Sequence, residues 1–285
     1  MDIFITPFTS NAFMMQALIA GILVSIACAV AGTFVILRGM AFIGDALAHG
    51  VLPGIALAYL LGGPQYGILG AALGAVFMIG GVTLITQRSR LSSDTAIGLL
   101  FIGMLALGVV IISRSNSFSG DLTKILFGEI MGIGIPDILI QLAATLVIGI
   151  TAFICARPFL LLSFDPEQAQ VAGFSSKLYH NIMLFMIAAT IIVSFQTVGT
   201  LLVFGLLIAP AGAGALLARR IRGMMAWATA FGAISVYTGL LLSYYFDLAA
   251  GASIILVTTV IFFIVFIIQN VRNRRLNTFA GVQHE

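Results

Sequence analysis

Asp45 and His49 stand four residues apart within Arg38-Gly39-Met40-Ala41-Phe42-Ile43-Gly44-Asp45-Ala46-Leu47-Ala48-His49-Gly50-Val51-Leu52-Pro53-Gly54. On a helix that spacing puts both side chains on one face, where they can hold one object. A carboxylate and an imidazole together suit a first-row divalent cation such as Mn²⁺, Fe²⁺ or Zn²⁺. The surrounding residues are apolar, and ionisable groups inside apolar spans are costly and usually face a cavity or a partner. Two donors make an incomplete site. Two symmetry-related copies would supply two carboxylates and two imidazoles around a shared pathway, open enough to release its ion. Plainer roles fit the same residues: a buried Asp–His pair that locks a helix, or Asp45 as the cap of a span near the membrane surface. Gly44, Gly50, Pro53 and Gly54 would permit a broken helix, which leaves the depth of the pair open.

The elements that must position this pair are membrane helices. The 285 residues are 61% hydrophobic and 8% charged, with a mean hydropathy of +1.17. Soluble domains carry roughly a quarter charged residues, so this surface must face lipid. Apolar runs near 15–37, 46–62, 67–86, 96–112, 138–155, 178–198, 200–218, 225–246 and 250–269 predict about nine spans, eight to ten, in one all-α integral membrane domain over 1–285. With nine spans and the N-terminus outside, Arg38, Arg88, Arg90, Arg157, Lys177, Arg219, Arg220, Arg222, Arg272, Arg274 and Arg275 fall on one side. Only Arg114 and Lys124 fall on the other. That asymmetry predicts a cytoplasmic C-terminus. Ala209-Pro210-Ala211-Gly212-Ala213-Gly214 predicts a kink or break in its helix, which lipid tolerates only against protein or a water-filled path.

The cytoplasmic loop 157–177 contains Ser163-Phe164-Asp165-Pro166-Glu167-Gln168-Ala169-Gln170-Val171-Ala172-Gly173. Asp165 suits an N-cap, Pro166 the first helical position, Glu167 the positive end of the dipole and Gly173 the exit. A short capped helix held between two spans is either a stiff projection for a partner or a plain interfacial loop helix. Other charged groups read as structural or as weak candidates. His180 sits where a span meets the cytoplasm, which predicts a solvated imidazole, and Asp94 beside Ser92 and Ser93 predicts a cap. Asp121, Glu129 and Asp137 would form an external cation-attracting rim or a solvated loop, and Asp247 lies at an outer span end.

Several functions are excluded. The only lysines are Lys124 and Lys177, and no GxxxxGK[ST] phosphate loop exists, so the chain is not itself an ATPase of that type. No HExxH occurs. Two distant cysteines, Cys28 and Cys155, form neither a disulfide framework nor a CxxC motif. No basic patch interleaved with aromatics points to nucleic acid.

The segments "LRGMAFIGDALAHGVLPGIAL" at 37–57, "SSDTAIGLLF" at 92–101, "LFGEI" at 126–130, "SFDPEQAQVAG" at 163–173, "QTVGTLLVFGLLIAPAGAGALLA" at 196–218 and "GLLLSYYFDLAAG" at 239–251 resemble the permease subunit of ATP-binding-cassette importers for manganese, zinc and iron. The resemblance covers nearly the whole chain. It implies the compact fold of vitamin B12-type importers and a homodimer in the cell membrane. It also implies a separate cytoplasmic ATPase and an extracellular or periplasmic metal-binding protein. Asp45 and His49 then match the residues expected to meet the metal, and Asp165, Pro166, Glu167, Ala169 and Gly173 belong to the helix that couples to the ATPase. Pro210 and Gly212 mark the expected pathway helix break. No tightly bound cofactor is implied; the metal is cargo. The form "GDALAHGVLPG", with Ala46 and Pro53, is more similar to manganese members, although Gly50 departs from the Ala or Val usual after the His. Iron and zinc stay open, as does a stand-alone carrier or channel for a divalent cation.

Overall fold

The computed structural model describes residues 2–113 and 132–281. Among these the chain is helical throughout: α1 (Asp2–Ser10), α2 (Ala12–Leu37), α3 (Ala41–Gly50), α4 (Leu52–Gly62), α5 (Gly67–Arg88), α6 (Ser93–Ser113), α7 (Ile135–Ile154), α8 (Ala156–Phe164), α9 (Pro166–Val171), α10 (Ser176–Val198), α11 (Thr200–Leu217), α12 (Ile221–Phe246) and α13 (Ala250–Gly281). Nine helical stretches among the described residues are long and apolar enough to cross a bilayer. The second of them, Ala41–Gly62, joins α3 and α4. The expected count therefore stands, and the protein is a multi-pass all-α membrane protein.

α2 and α11 form the centre. α2 buries a run of mostly small residues, with Phe34, from Met14 to Val35, and α11 lies against α2, α3, α10, α12 and α13. With no hydrophobic force between helices in lipid, close approach through small residues holds such a bundle. Gly32 of α2 sits against the Leu207 carbonyl of α11, and Gly54 of α4 against the Gly70 carbonyl of α5. The outer helices turn large apolar side chains outward, among them Leu73, Phe77, Phe153 and Leu256, as a lipid-facing surface requires.

Polar groups inside the spans are mostly satisfied within their own helix. Thr33 donates to Ala29 O at 2.7 Å, Thr190 to Met186 O at 2.9 Å and Thr258 to Ile254 O at 2.8 Å. A smaller set ties helices together: buried Gln141 donates to Ser194 Oγ at 3.3 Å, and Thr145 to Leu23 O at 3.2 Å. These bonds join α7 to α10 and α2, where hydrocarbon offers no competing partner.

The helix break expected at Pro210 and Gly212 is absent. α11 runs unbroken from Thr200 to Leu217 with Pro210 inside it. The interruption falls earlier in the chain, at Gly199, whose φ of +85° ends α10 and starts α11. Buried neighbours hold the helix on both sides of Pro210, which outweighs the one backbone bond that proline removes.

Candidate functional site

The pair lies on α3, which follows a turn over Arg38–Met40. Gly39 takes φ +64° there, a left-handed conformation that glycine adopts without Cβ strain. Arg38 caps the end of α2 and donates to Leu162 O of α8 at 3.4 Å. That burial lowers its pKa from the usual guanidinium value. The turn therefore anchors the start of α3 to α8.

α3 begins at Ala41, with Met40 as N-cap and no side-chain cap bond. Asp45 is thus an interior helix residue, and the capping role considered for it is excluded. At 1.5 Å per residue, His49 lies about 12 Å from the start of a span about 33 Å long, short of its middle. Asp45 Oδ1 and His49 Nε2 are 3.4 Å apart, which confirms the shared face. Neither is sealed: the side chains keep 35% and 24% of their exposure. The pair sits within one helix, so it does not lock α3 to a neighbour.

Phe42, 72% exposed, extends the same stripe one turn back. The opposite face of α3, including Ile43, Leu47 and Gly50, is buried. Gly44 faces Leu207 and Phe204 of α11, and a Cβ on Gly50 would touch Met78 of α5 at 3.3 Å. These contacts fix the rotation of α3 so that Phe42 points outward, Asp45 stays partly exposed and His49 turns towards α6. Phe101 of α6 flanks the imidazole, with ring centroids 5.8 Å apart. Sequence reasoning did not single out Phe101, and its apolar run gave no signal for it. Pro53 has no N–H to donate to the His49 carbonyl four residues back, and the α3–α4 junction falls at Val51, between them.

His49 Nε2 faces the carboxylate, while Nδ1 is buried without a hydrogen-bond partner. Nε2 and the carboxylate oxygens are therefore the groups that face each other where a cation could bind. No cluster of three or more His, Cys, Asp or Glu side chains suited to a metal exists among the described residues. One chain brings two donors to this place.

The second site, α9, forms as its signals predict. Asp165 Oδ1 accepts from Glu167 N and Gln168 N, each at 3.0 Å. At the other end Gly173, φ +83°, closes a Schellman-type exit: Gly173 N donates to Gln170 O at 3.0 Å and Phe174 N to Ala169 O at 2.9 Å. Glu167, Gln168, Gln170 and Val171 are exposed, whereas Ala169 is fully buried. Ala169 seats the helix and cannot itself touch a docked protein, which narrows the contact face expected from sequence.

Several other candidates resolve differently from expectation. His180 is half-buried with Nδ1 enclosed and unpartnered, so it is not the solvated imidazole expected. Ser92 caps α6, accepting from Thr95 N at 3.1 Å, and Asp94 occupies the first turn. Asp137 accepts from Gly134 N at 2.9 Å at the start of α7. Asp247 takes a left-handed turn, φ +50°, after α12. Asp121, Glu129, Arg114, Lys124 and the 126–130 segment lie outside the described residues.

The profile of the ABC 3 transport family matches residues 10–269. The chain is 37% identical over 265 residues to "Manganese transport system membrane protein MntC" of Listeria monocytogenes, covering 93% of this chain and 94% of that protein. It is also 37% identical over 262 residues to "Probable iron transport system membrane protein" of Haemophilus influenzae, covering 92% and 96%. The fold matches a chain of the solved structure "PsaBC from Streptococcus pneumoniae in complex with Fab" with a TM-score of 0.82 and 35% identity, over 92% of this chain and 94% of that one. A bundle with nine apolar spans among its described residues, matched along nearly the full chain in sequence and in fold, places this chain in the ABC 3 transport family of membrane permeases.

Proposed function

We propose that this chain is the permease subunit of a binding-cassette importer that carries a divalent transition metal, Mn²⁺ first, into the cytoplasm. The observation that carries this reading is the Asp45–His49 pair: two cation donors 3.4 Å apart on one helix face, both only partly covered by their own chain. A second copy across a two-fold axis supplies the missing donors, giving two carboxylates and two imidazoles. Such a hard-to-borderline donor set accommodates Mn²⁺ and Fe²⁺ and, with less oxygen preference, Zn²⁺. Relatives named for manganese and for iron at the same 37% identity support the first two. The metal is cargo here, so the chain needs no tightly bound cofactor.

Energy comes from a separate cytoplasmic ATPase that docks on α9 through Glu167, Gln168, Gln170 and Val171. A metal-binding protein delivers the ion from outside. The arginine-rich end of the bundle, with Arg38, Arg157, Arg219, Arg220 and Arg222, faces the cytoplasm, as does the C-terminus. α11 backs the site helix through Leu207 and Phe204 at Gly44, whereas Pro210 and Gly212 lie towards Gly232 of α12 and Phe262 of α13.

The test is ⁵⁴Mn uptake by permease reconstituted with its ATPase. Asp45→Asn and His49→Ala are expected to abolish uptake while assembly with the ATPase persists. Uptake surviving both changes makes the pair structural. Uptake without any ATPase favours the stand-alone carrier or channel and overturns the importer reading.

A further inference from the structure

At the arginine-rich end of the bundle a groove of about 730 Å³ opens between the end of α2, the helix α8 and the junction of α11 with α12. Arg157, Arg219, Arg220 and Arg222 line it, with Leu37 and Leu160 among its apolar walls, and none of its lining residues is acidic. All four arginines are exposed, and among the described residues none has an ion-pair partner. Four guanidinium groups gathered in one concavity repel each other, and no carboxylate of the groove relieves them. An anion would. Guanidinium forks match phosphate oxygens in geometry as well as charge.

The walls narrow the class of anion. They are apolar and belong to span ends, so the occupant must carry hydrocarbon as well as charge. Trp227, half-exposed one turn beyond Gly223 and stacked on Phe231 at 5.5 Å, sits where an aromatic belt marks the headgroup level. Basic pockets between spans on the cytoplasmic side are suited to anionic lipid headgroups. The polar face proposed for the ATPase is α9, whereas this groove opens among span ends. We propose that it binds an anionic phospholipid of the cytoplasmic leaflet, its phosphate held by the arginines and an acyl chain lying along Leu37 and Leu160. The inference rests on the orientation proposed above, but lipid retention is measured without metal transport, so the two fail separately.

The experiment uses the full permease–ATPase complex in detergent, with retention of phosphatidylglycerol and phosphatidylcholine read by native mass spectrometry. The quadruple variant R157Q/R219Q/R220Q/R222Q is expected to retain phosphatidylglycerol about tenfold less or weaker still, and to lose its preference over phosphatidylcholine. R88Q/R90Q, which removes two charges elsewhere, should behave as the parent. Ala218→Trp fills the groove without changing charge and should also expel the lipid, which keeps the test decisive if the quadruple variant fails to fold. Excess inorganic phosphate or glycerol phosphate should leave the lipid bound. Undiminished retention in a folded variant overturns the proposal. Displacement by inorganic phosphate reassigns the groove to a free anion. Loss of the ATPase with lipid retention unchanged reassigns it to protein docking.

Discussion

Replacing Asp165 with Ala tests the coupling reading at a point where the structure supplies a magnitude. Its Oδ1 accepts two backbone N–H groups at 3.0 Å each, and Ala removes the acceptor for both. At an exposed helix end water recovers part of the loss, leaving a cost of about 1 kcal/mol and at most about 2. α9 has six residues, far below the length at which a helix stands alone. Its remaining ties are the exit bonds at Gly173 and Phe174, the buried Ala169 and the Ser176 Oγ bond to Pro166 O at 3.1 Å. A change of one to two kcal/mol shifts a marginal equilibrium about 5–30-fold. If the ATPase docks only on the folded helix, its affinity for the permease falls by up to that factor. Asp165→Asn retains a capping oxygen and loses only charge, so it should stay close to the parent. The assay pairs ATPase affinity, by titration in nanodiscs, with hydrogen exchange at the amides of 169–174. Faster exchange with unchanged affinity refutes the docking role. Unchanged exchange refutes the cap as the fastener. An Asn variant as weak as the Ala variant shows that charge, rather than the helix, is what the ATPase reads.

Other expectations follow from the helix crossings and the proposed orientation. Gly54→Val drives a side chain into the Gly70 carbonyl, where both walls are backbone; thermal unfolding in detergent should show about 1–3 kcal/mol of destabilisation. Gly80→Ala, with nothing within 4 Å of its new Cβ, should be neutral or stabilising by up to about 1 kcal/mol through helix propensity. A cysteine placed at exposed Ala172 should react with impermeant maleimide only from the cytoplasmic face, and labelling from outside refutes the orientation. Cys28 is fully buried and should stay silent in that background. Cys155 should label slowly at neutral pH: burial raises its thiol pKa, so the thiolate fraction grows only as pH climbs past the usual thiol range.

How much of this was legible beforehand can be judged at particular residues. The spans were readable because lipid removes the alternatives: a backbone with no water to bond must be helical, and about 20 apolar residues must follow one another. The short helix α9 was readable because caps are local; Asp165, Pro166 and Gly173 act within one turn of their own backbone. The pairing of Asp45 with His49 was readable because four residues on a helix fix a face. Pro210 did not break its helix because a proline's cost is local, whereas the neighbours that hold α11 come from distant parts of the chain.

What the tertiary structure decided was direction. A four-residue spacing states that two side chains share a face but not which way that face turns. The contacts of Gly44 with Leu207 and Phe204, and of Gly50 with Met78, rotate α3 so that Asp45 stays partly exposed beside Phe42 while His49 turns towards Phe101. Likewise Ala169 proved to be the buried side of α9, and four arginines from two separate stretches proved to share one groove. Local sequence dictates what each helix is, because its bonds close within a few residues. Which face of that helix meets protein depends on side chains that other helices bring in.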